Sequence, residues 1–255
     1  MRKNLILLLA LLTITLTSCL DSVEELTIAA DGSGVYKNTI NISGLFDMMG
    51  AMNNTQEGDS MRISDQPIDS TIMMRTMVDT ATDLTAEQKK LFHDAVVNVK
   101  IEPKDKAFKV AMTYPFKKLK DVQEIIALSE KRKGSGMLGL NKPEEGDLPA
   151  MGNFDGLASI SKYFDLNYKK GLLERKINQQ FMDQVKSQDK LSEMESLASL
   201  LESMKFRTVI NLPVAAKKAS GEKLSLSSDK RTVTIETNMY DFITNPQALA
   251  FRIEY

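Results

Sequence analysis

Apolar and polar residues alternate at several places along the chain, and each such stretch predicts a β-strand. In "EELTIAADGSGVYKNTINIS", residues 24 to 43, Leu26, Ile28 and Ala30 share one phase. Further on, Tyr36, Asn38, Ile40 and Ile42 alternate with Val35, Lys37, Thr39 and Asn41. Asp31-Gly32-Ser33-Gly34 lies between the two runs and supplies residues tolerant of positive φ, so the whole predicts a hairpin. "VVNVKIEP" and "KAFKVAMTYP" alternate in the same way, with Val97, Val99 and Ile101 on one face and Phe108, Val110 and Met112 on another. Pro115 is expected to end the second of these strands. "KYFDLNYKKGLLERKIN" predicts another hairpin around Lys169-Lys170-Gly171, and "FRTVINLP", "LSLSSDKRTVTIET" and "ALAFRIEY" predict further strands. A chain that closes on a strand is expected to have its last residues held in a sheet.

Helical spacing appears between these runs. Phe116, Leu119, Val122, Ile125 and Ile126 fall on one face of "FKKLKDVQEIIALSEKRK", and Met194, Leu197, Ala198, Leu201 and Met204 fall on one face of a later segment. "SQDK" at 187 to 190 is a candidate break in that second helix. Thr85 with Gln88 three residues on has the spacing of a capping box. A short helix is expected after Ser43, and "NMYDFITNP" predicts a turn or a single helical turn, whereas "STIMMRTMVDT" carries neither period cleanly. Polar, irregular residues 53 to 69 and the glycine-rich stretch 133 to 156 read as flexible loops. Paired strands followed by a helix, twice over, predict an α+β fold: an antiparallel sheet built from hairpins with packed helices, and two related halves as an open expectation.

The N-terminus departs from this pattern. Met1-Arg2-Lys3-Asn4 is cationic, and "LILLLALLTI" after it is apolar at nearly every position, the order of a secretory signal too short to span a bilayer permanently. Leu16-Thr17-Ser18-Cys19 follows, and Cys19 is the only cysteine of the 255 residues, so it has no partner for an intrachain disulfide. The run resembles a bacterial lipobox. That resemblance implies a diacylglycerol on the Cys19 thiol, cleavage before Cys19 and acylation of the new amino terminus, palmitate being an expected chain. Two or more acyl chains hold a protein firmly to a membrane. The expected organisation is a signal peptide over 1 to 18, a lipidated tether over 19 to 23, and an α+β domain over 24 to 255.

Charge and chemistry narrow the function. Without Arg2 and Lys3, 31 basic residues face 34 acidic ones, a net of −3 that gives no basic stripe for nucleic acid. Seven of the 15 methionines lie between residues 48 and 77: Met48, Met49, Met52, Met61, Met73, Met74 and Met77. Filling of the core, an adaptable apolar contact surface and soft copper(I) ligation are the readings open to them, in that order. His93 is the only histidine, which leaves hydrolases that recruit histidine as base or zinc ligand without a second one. Ser220-Gly221-Glu222-Lys223 fits S-x-x-K, but in a turn between strands and without its partner motifs. Asp31 in "DGSG" lacks the later oxygen ligands of an EF-type calcium loop. Glu144, Glu145 and Asp147 fall in a loop and read as solvated. No catalytic, cofactor or metal residue is therefore assigned, and the expectation is a protein that is not an enzyme.

The order of leader, acidic residues Asp21, Glu24 and Glu25, "DGSG" hairpin and methionine-rich segment also resembles small uncharacterised envelope lipoproteins of Bacteroidota. The resemblance implies an envelope location, with the outer membrane favoured and either face open. The expected function is a lipid-anchored, non-catalytic binding or assembly module. Its partners would be the membrane through acylated Cys19 and an envelope protein. The alternative is a binder or carrier of lipids or other hydrophobic molecules.

Overall fold

The computed structural model describes residues 20–43, 67–82, 84–102, 107–132, 163–179 and 198–255. The first alternating stretch forms β1 (Leu20–Ile28) and β2 (Gly34–Asn41), paired antiparallel with Leu26 opposite Tyr36. The turn between them is closed by a side chain: Asp31 accepts from the Ser33 amide at 3.0 Å and from the Ser33 hydroxyl at 2.7 Å. Gly32 has φ 89°, as the turn demands. Gly34 is needed for a different reason. A Cβ there would stand 1.9 Å from the Thr27 carbonyl oxygen.

Residues 20 to 23 are not a tether. They are the first half of β1, with Leu20, Ser22, Glu24, Leu26 and Ile28 all buried on its inward face. Asp21, Ser22 and Glu24 make the stretch look polar, but only Asp21 lies in the outward phase. The period of two was there, carried by polar residues as well as apolar ones.

β3 (Ile68–Met73) takes up the last two residues of the stretch expected to be a loop, of which residues 53 to 66 lie outside the described residues. The segment of mixed period resolves into the end of β3 and then α1 (Arg75–Thr80). Next comes α2 (Ala86–Phe92), with the expected capping box: Thr85 Oγ1 accepts from the Gln88 amide at 3.2 Å, and the Gln88 side chain accepts from the Thr85 amide at 3.0 Å. The methionine cluster divides. Met74 is buried in the core, Met77 packs against it and Met73 is exposed, while Met48, Met49, Met52 and Met61 lie outside the described residues. So do the expected helix after Ser43, the loop at 133 to 156 and "SQDK".

β4 (Val96–Glu102) and β5 (Ala107–Phe116) form the second pair. β5 runs on past Pro115 to Phe116, which corrects the expected end. β4 pairs only as far as Val96, opposite Thr113, so no ladder bond from β4 requires the missing amide. α3 (Leu119–Arg132) buries Leu119, Val122, Ile125 and Ile126 on one face. Hairpin β6 (Phe164–Lys169) and β7 (Leu172–Ile177) turns at Lys170-Gly171, where Gly171 has φ 81°. Of the later helix α4 (Ala198–Ser203) is described, Met194 and Leu197 lying outside the described residues, and Met204 opens β8 (Met204–Asn211) instead of ending a helix.

The remainder comprises β9 (Lys218–Ser220), which the sequence pattern did not reveal, β10 (Leu224–Leu226), β11 (Thr232–Asn238) and α5 (Met239–Thr244). A 3-10 turn (Pro246–Leu249) and β12 (Phe251–Glu254) complete it. Two sheets result, with orders β10-β11-β8-β1-β2-β5-β4-β3 and β6-β7-β12-β9. Every described pairing is antiparallel except β1 with β8, which run parallel with Leu20 beside Met204 and Thr27 beside Asn211. The fold is α+β. The strand–strand–helix round does occur twice, but β4 and β5 join the eight-stranded sheet, whereas β6 and β7 join the four-stranded one. The chain's first strand ends up deep in the larger sheet, between β8 and β2.

Candidate functional site

The most unusual chemistry among the described residues is buried where the two sheets meet. β7 turns Leu173 and Arg175 inward, and Arg175 is only 2% exposed. Its Nε donates to the Leu249 carbonyl at 2.9 Å, and its Nη1 donates to Thr208 Oγ1 of β8 at 3.3 Å. Thr208 in turn donates to Glu24 Oε2 at 3.5 Å, and the Tyr36 hydroxyl donates to Glu24 Oε1 at 3.4 Å. One hydroxyl thus links a guanidinium on the small sheet to a carboxylate at the centre of the large one.

Register explains the assembly. Glu24 lies opposite Asn38 on β2 and beside Thr208 on β8, so three polar side chains form one inward row across adjacent strands. Aromatic rings enclose the arginine. Its guanidinium carbon stands 4.7 Å from the Phe164 ring centre and 4.8 Å from that of Phe251, positions that favour a cation over a π face. Tyr36 stacks with Tyr114 at 6.1 Å, and Phe92 meets Tyr114 edge-on.

Burial dominates the electrostatics. It pushes the Tyr36 hydroxyl well above the usual phenol range, and the neighbouring Glu24 charge adds to the effect. Tyr168 is raised for the same first reason, with Arg175 pulling the other way. Burial lowers Arg175, opposed by Tyr168 and Glu24, yet a guanidinium so far from its titration range stays charged. Arg175 Nη2 and Asn38 Oδ1 are buried without a hydrogen-bond partner. An arrangement of this kind holds two sheets in one register, because sliding either strand would strand a charge in an apolar interior.

The residues singled out in the sequence lie elsewhere. Cys19 lies outside the described residues, as do Glu144, Glu145 and Asp147. His93 is an exposed helix end whose Nδ1 sits 2.9 Å from its neighbour Asp94. Ser220 and Lys223 are both committed to other groups: the serine hydroxyl is 3.5 Å from the Arg252 carbonyl, and Lys223 pairs with Asp241 at 3.1 Å. The Asp31 carboxylate is occupied by its own turn, and those bonds from Ser33 hold it below the usual carboxylate range. No group of three or more metal-ligating side chains occurs among the described residues. No helix among them is long and apolar enough to cross a membrane. The large sheet ends in β3 on one side, where Ile68 and Met73 are 39% and 40% exposed.

Sequence reading missed the Glu24–Thr208–Arg175 chain. The available signal was a charged residue in the apolar phase of a strand: Leu173-x-Arg175-x-Ile177 and Leu20-x-Ser22-x-Glu24-x-Leu26 both carry one.

Fold and site together define a two-sheet α+β protein with a polar link through its core. No family model matches the chain, and no curated protein matches it. Among solved structures, the folded domain of LppM from Mycobacterium tuberculosis overlaps it with a TM-score of 0.38 at 8% identity, covering 94% of this chain and 91% of that one. An overlap that loose supports no argument about ancestry or function.

Proposed function

We propose that the protein is a lipid-anchored, non-catalytic module of a bacterial envelope, held by acylated Cys19 and acting through binding or assembly. One observation supports the reading: Leu20, the residue bonded directly to the lipobox cysteine, is buried in β1. Cleavage before Cys19 would remove none of the described strands. The buried charges favour a structural role. Arg175 and Glu24 are enclosed by Phe164, Phe251, Tyr36 and Thr208, in positions suited to joining sheets. Among the described residues β3 is an edge strand, and its exposed apolar residues are consistent with contact to another envelope protein, since a sheet edge is a ready template for association. The outer membrane is the location favoured by the resemblance to envelope lipoproteins of Bacteroidota.

The test is fractionation of cells making the wild type and Cys19→Ala, with native mass spectrometry of the extracted protein. Membrane pelleting that depends on Cys19 and a co-purifying protein are the expected results. A Cys19→Ala protein that still pellets and shows no loss of mass would refute the anchor. A retained lipid in place of a protein would favour the carrier alternative.

A further inference from the structure

The start of β1 also dictates which end of the molecule meets the membrane. Residues 20 to 23 as a free tether would reach about 14 Å and let the body turn in any direction. They are instead hydrogen-bonded into the sheet between β2 and β8, with Leu20 buried beside Met204 and Asp21 opposite Asn41. Between an acylated Cys19 and a rigid strand there remains a single peptide unit, about 3.8 Å from Cα to Cα.

We propose that the sheet end where β1 begins lies against a lipid bilayer and that the hairpin tip at Ala29 to Ser33 points away from it. This rests on the anchor reading above. The register names the residues that share the membrane-facing end. Asp21 is level with Lys205 on β8 and Asn41 on β2, Asn41 is level with Lys109 on β5, and Lys109 is level with Lys100 on β4. Lys205, Lys109 and Lys100 are exposed. The opposite end lies eight residues along β1, about 26 Å away at a strand's rise per residue. Charge does not choose the orientation. Asp21 and Asp69 stand in the same row as the three lysines, and Lys100 pairs with Glu102 at 3.6 Å, so the row is nearly balanced. Tether length sets the geometry, and vesicles of zwitterionic and of anionic lipid should give the same orientation.

Because Cys19 is the only native cysteine and its thiol is consumed by acylation, a thiol introduced elsewhere can be labelled selectively. The acylated full-length product carrying Lys205→Cys, Lys109→Cys or Ala30→Cys is labelled with a fluorophore. Each is placed in phosphatidylcholine vesicles containing a headgroup-linked quencher, with intact mass confirming the acyl chains. Quenching several-fold stronger at 205 and 109 than at 30 is expected, and a Gly/Ser linker inserted between Cys19 and Leu20 should erase the contrast. Equal quenching at all three positions in protein of acylated mass would overturn the orientation and leave the anchor standing. Protein without added acyl mass that stays off the vesicles would overturn both.

Discussion

Glu24 and Arg175 should be strongly coupled, and a double-mutant cycle can measure it. The two charges are joined through the Thr208 hydroxyl at 3.3 and 3.5 Å, which puts their facing atoms no more than about 7 Å apart. At an effective dielectric of about 20, that separation gives an attraction of about 2.4 kcal/mol. Glu24→Gln removes the carboxylate charge and leaves a buried guanidinium uncompensated, and Arg175→Met does the converse. Breaking a buried pair from one side costs about 3–5 kcal/mol, whereas apolar replacement of both partners can be close to neutral. Each single variant should therefore lose about 3 kcal/mol in urea unfolding followed by circular dichroism, and the double variant should lose about 2 kcal/mol less than the sum. Additivity to within about 0.5 kcal/mol would mean that the two groups do not sense each other, and the link between the sheets would be refuted.

Three further outcomes follow from the same core. Thr208→Val keeps the side chain's shape but deletes the shared hydroxyl, and should cost about 1–3 kcal/mol in the same unfolding assay; a neutral result would remove Thr208 from the chain. Tyr36 and Tyr168 have folded-state pKa values raised by burial, so their contribution to stability is complete below the unfolded value and is lost as pH climbs towards the folded one. Stability should then fall above about pH 10 by at most about 2.7 kcal/mol per pH unit for these two groups, and at least two of the six tyrosines should ionise, by ultraviolet absorbance, only as the protein unfolds. Gly34→Ala would drive a methyl group into the Thr27 carbonyl and within 2.7 Å of Phe116 Cζ, and should lower stability by about 3 kcal/mol; an unchanged unfolding midpoint would show that the hairpin can open there.

Legibility followed the chemistry of individual residues. The hairpins at 24 to 43 and 164 to 177 could be read because apolar alternation and turn glycines agree there, and the register bears them out. The capping box at Thr85 is local and needs no tertiary information. Residues 20 to 23 do not read as a strand because this central strand fills its inward phase with Ser22 and Glu24, and Glu24 finds its partner in Thr208, some 184 residues away in the chain. Met204 was misread because its helical spacing from Leu201 and Ala198 is genuine, but the ladder to Leu20 outweighs it. The parallel placement of β1 beside β8 has no local signature at all. Arg175 could have been noticed as a charge in the apolar phase of β7. Its partners could not, since they come from β8 and from the turn at Leu249.

The central claim is that Cys19, bonded directly to the buried Leu20 of β1, carries the lipid anchor. Intact mass of the detergent-extracted protein tests it most directly. The account predicts a chain beginning at Cys19 and carrying the mass of a diacylglycerol and an added acyl group. A chain that retains the leader, or one that begins at Cys19 without any lipid mass, would contradict it.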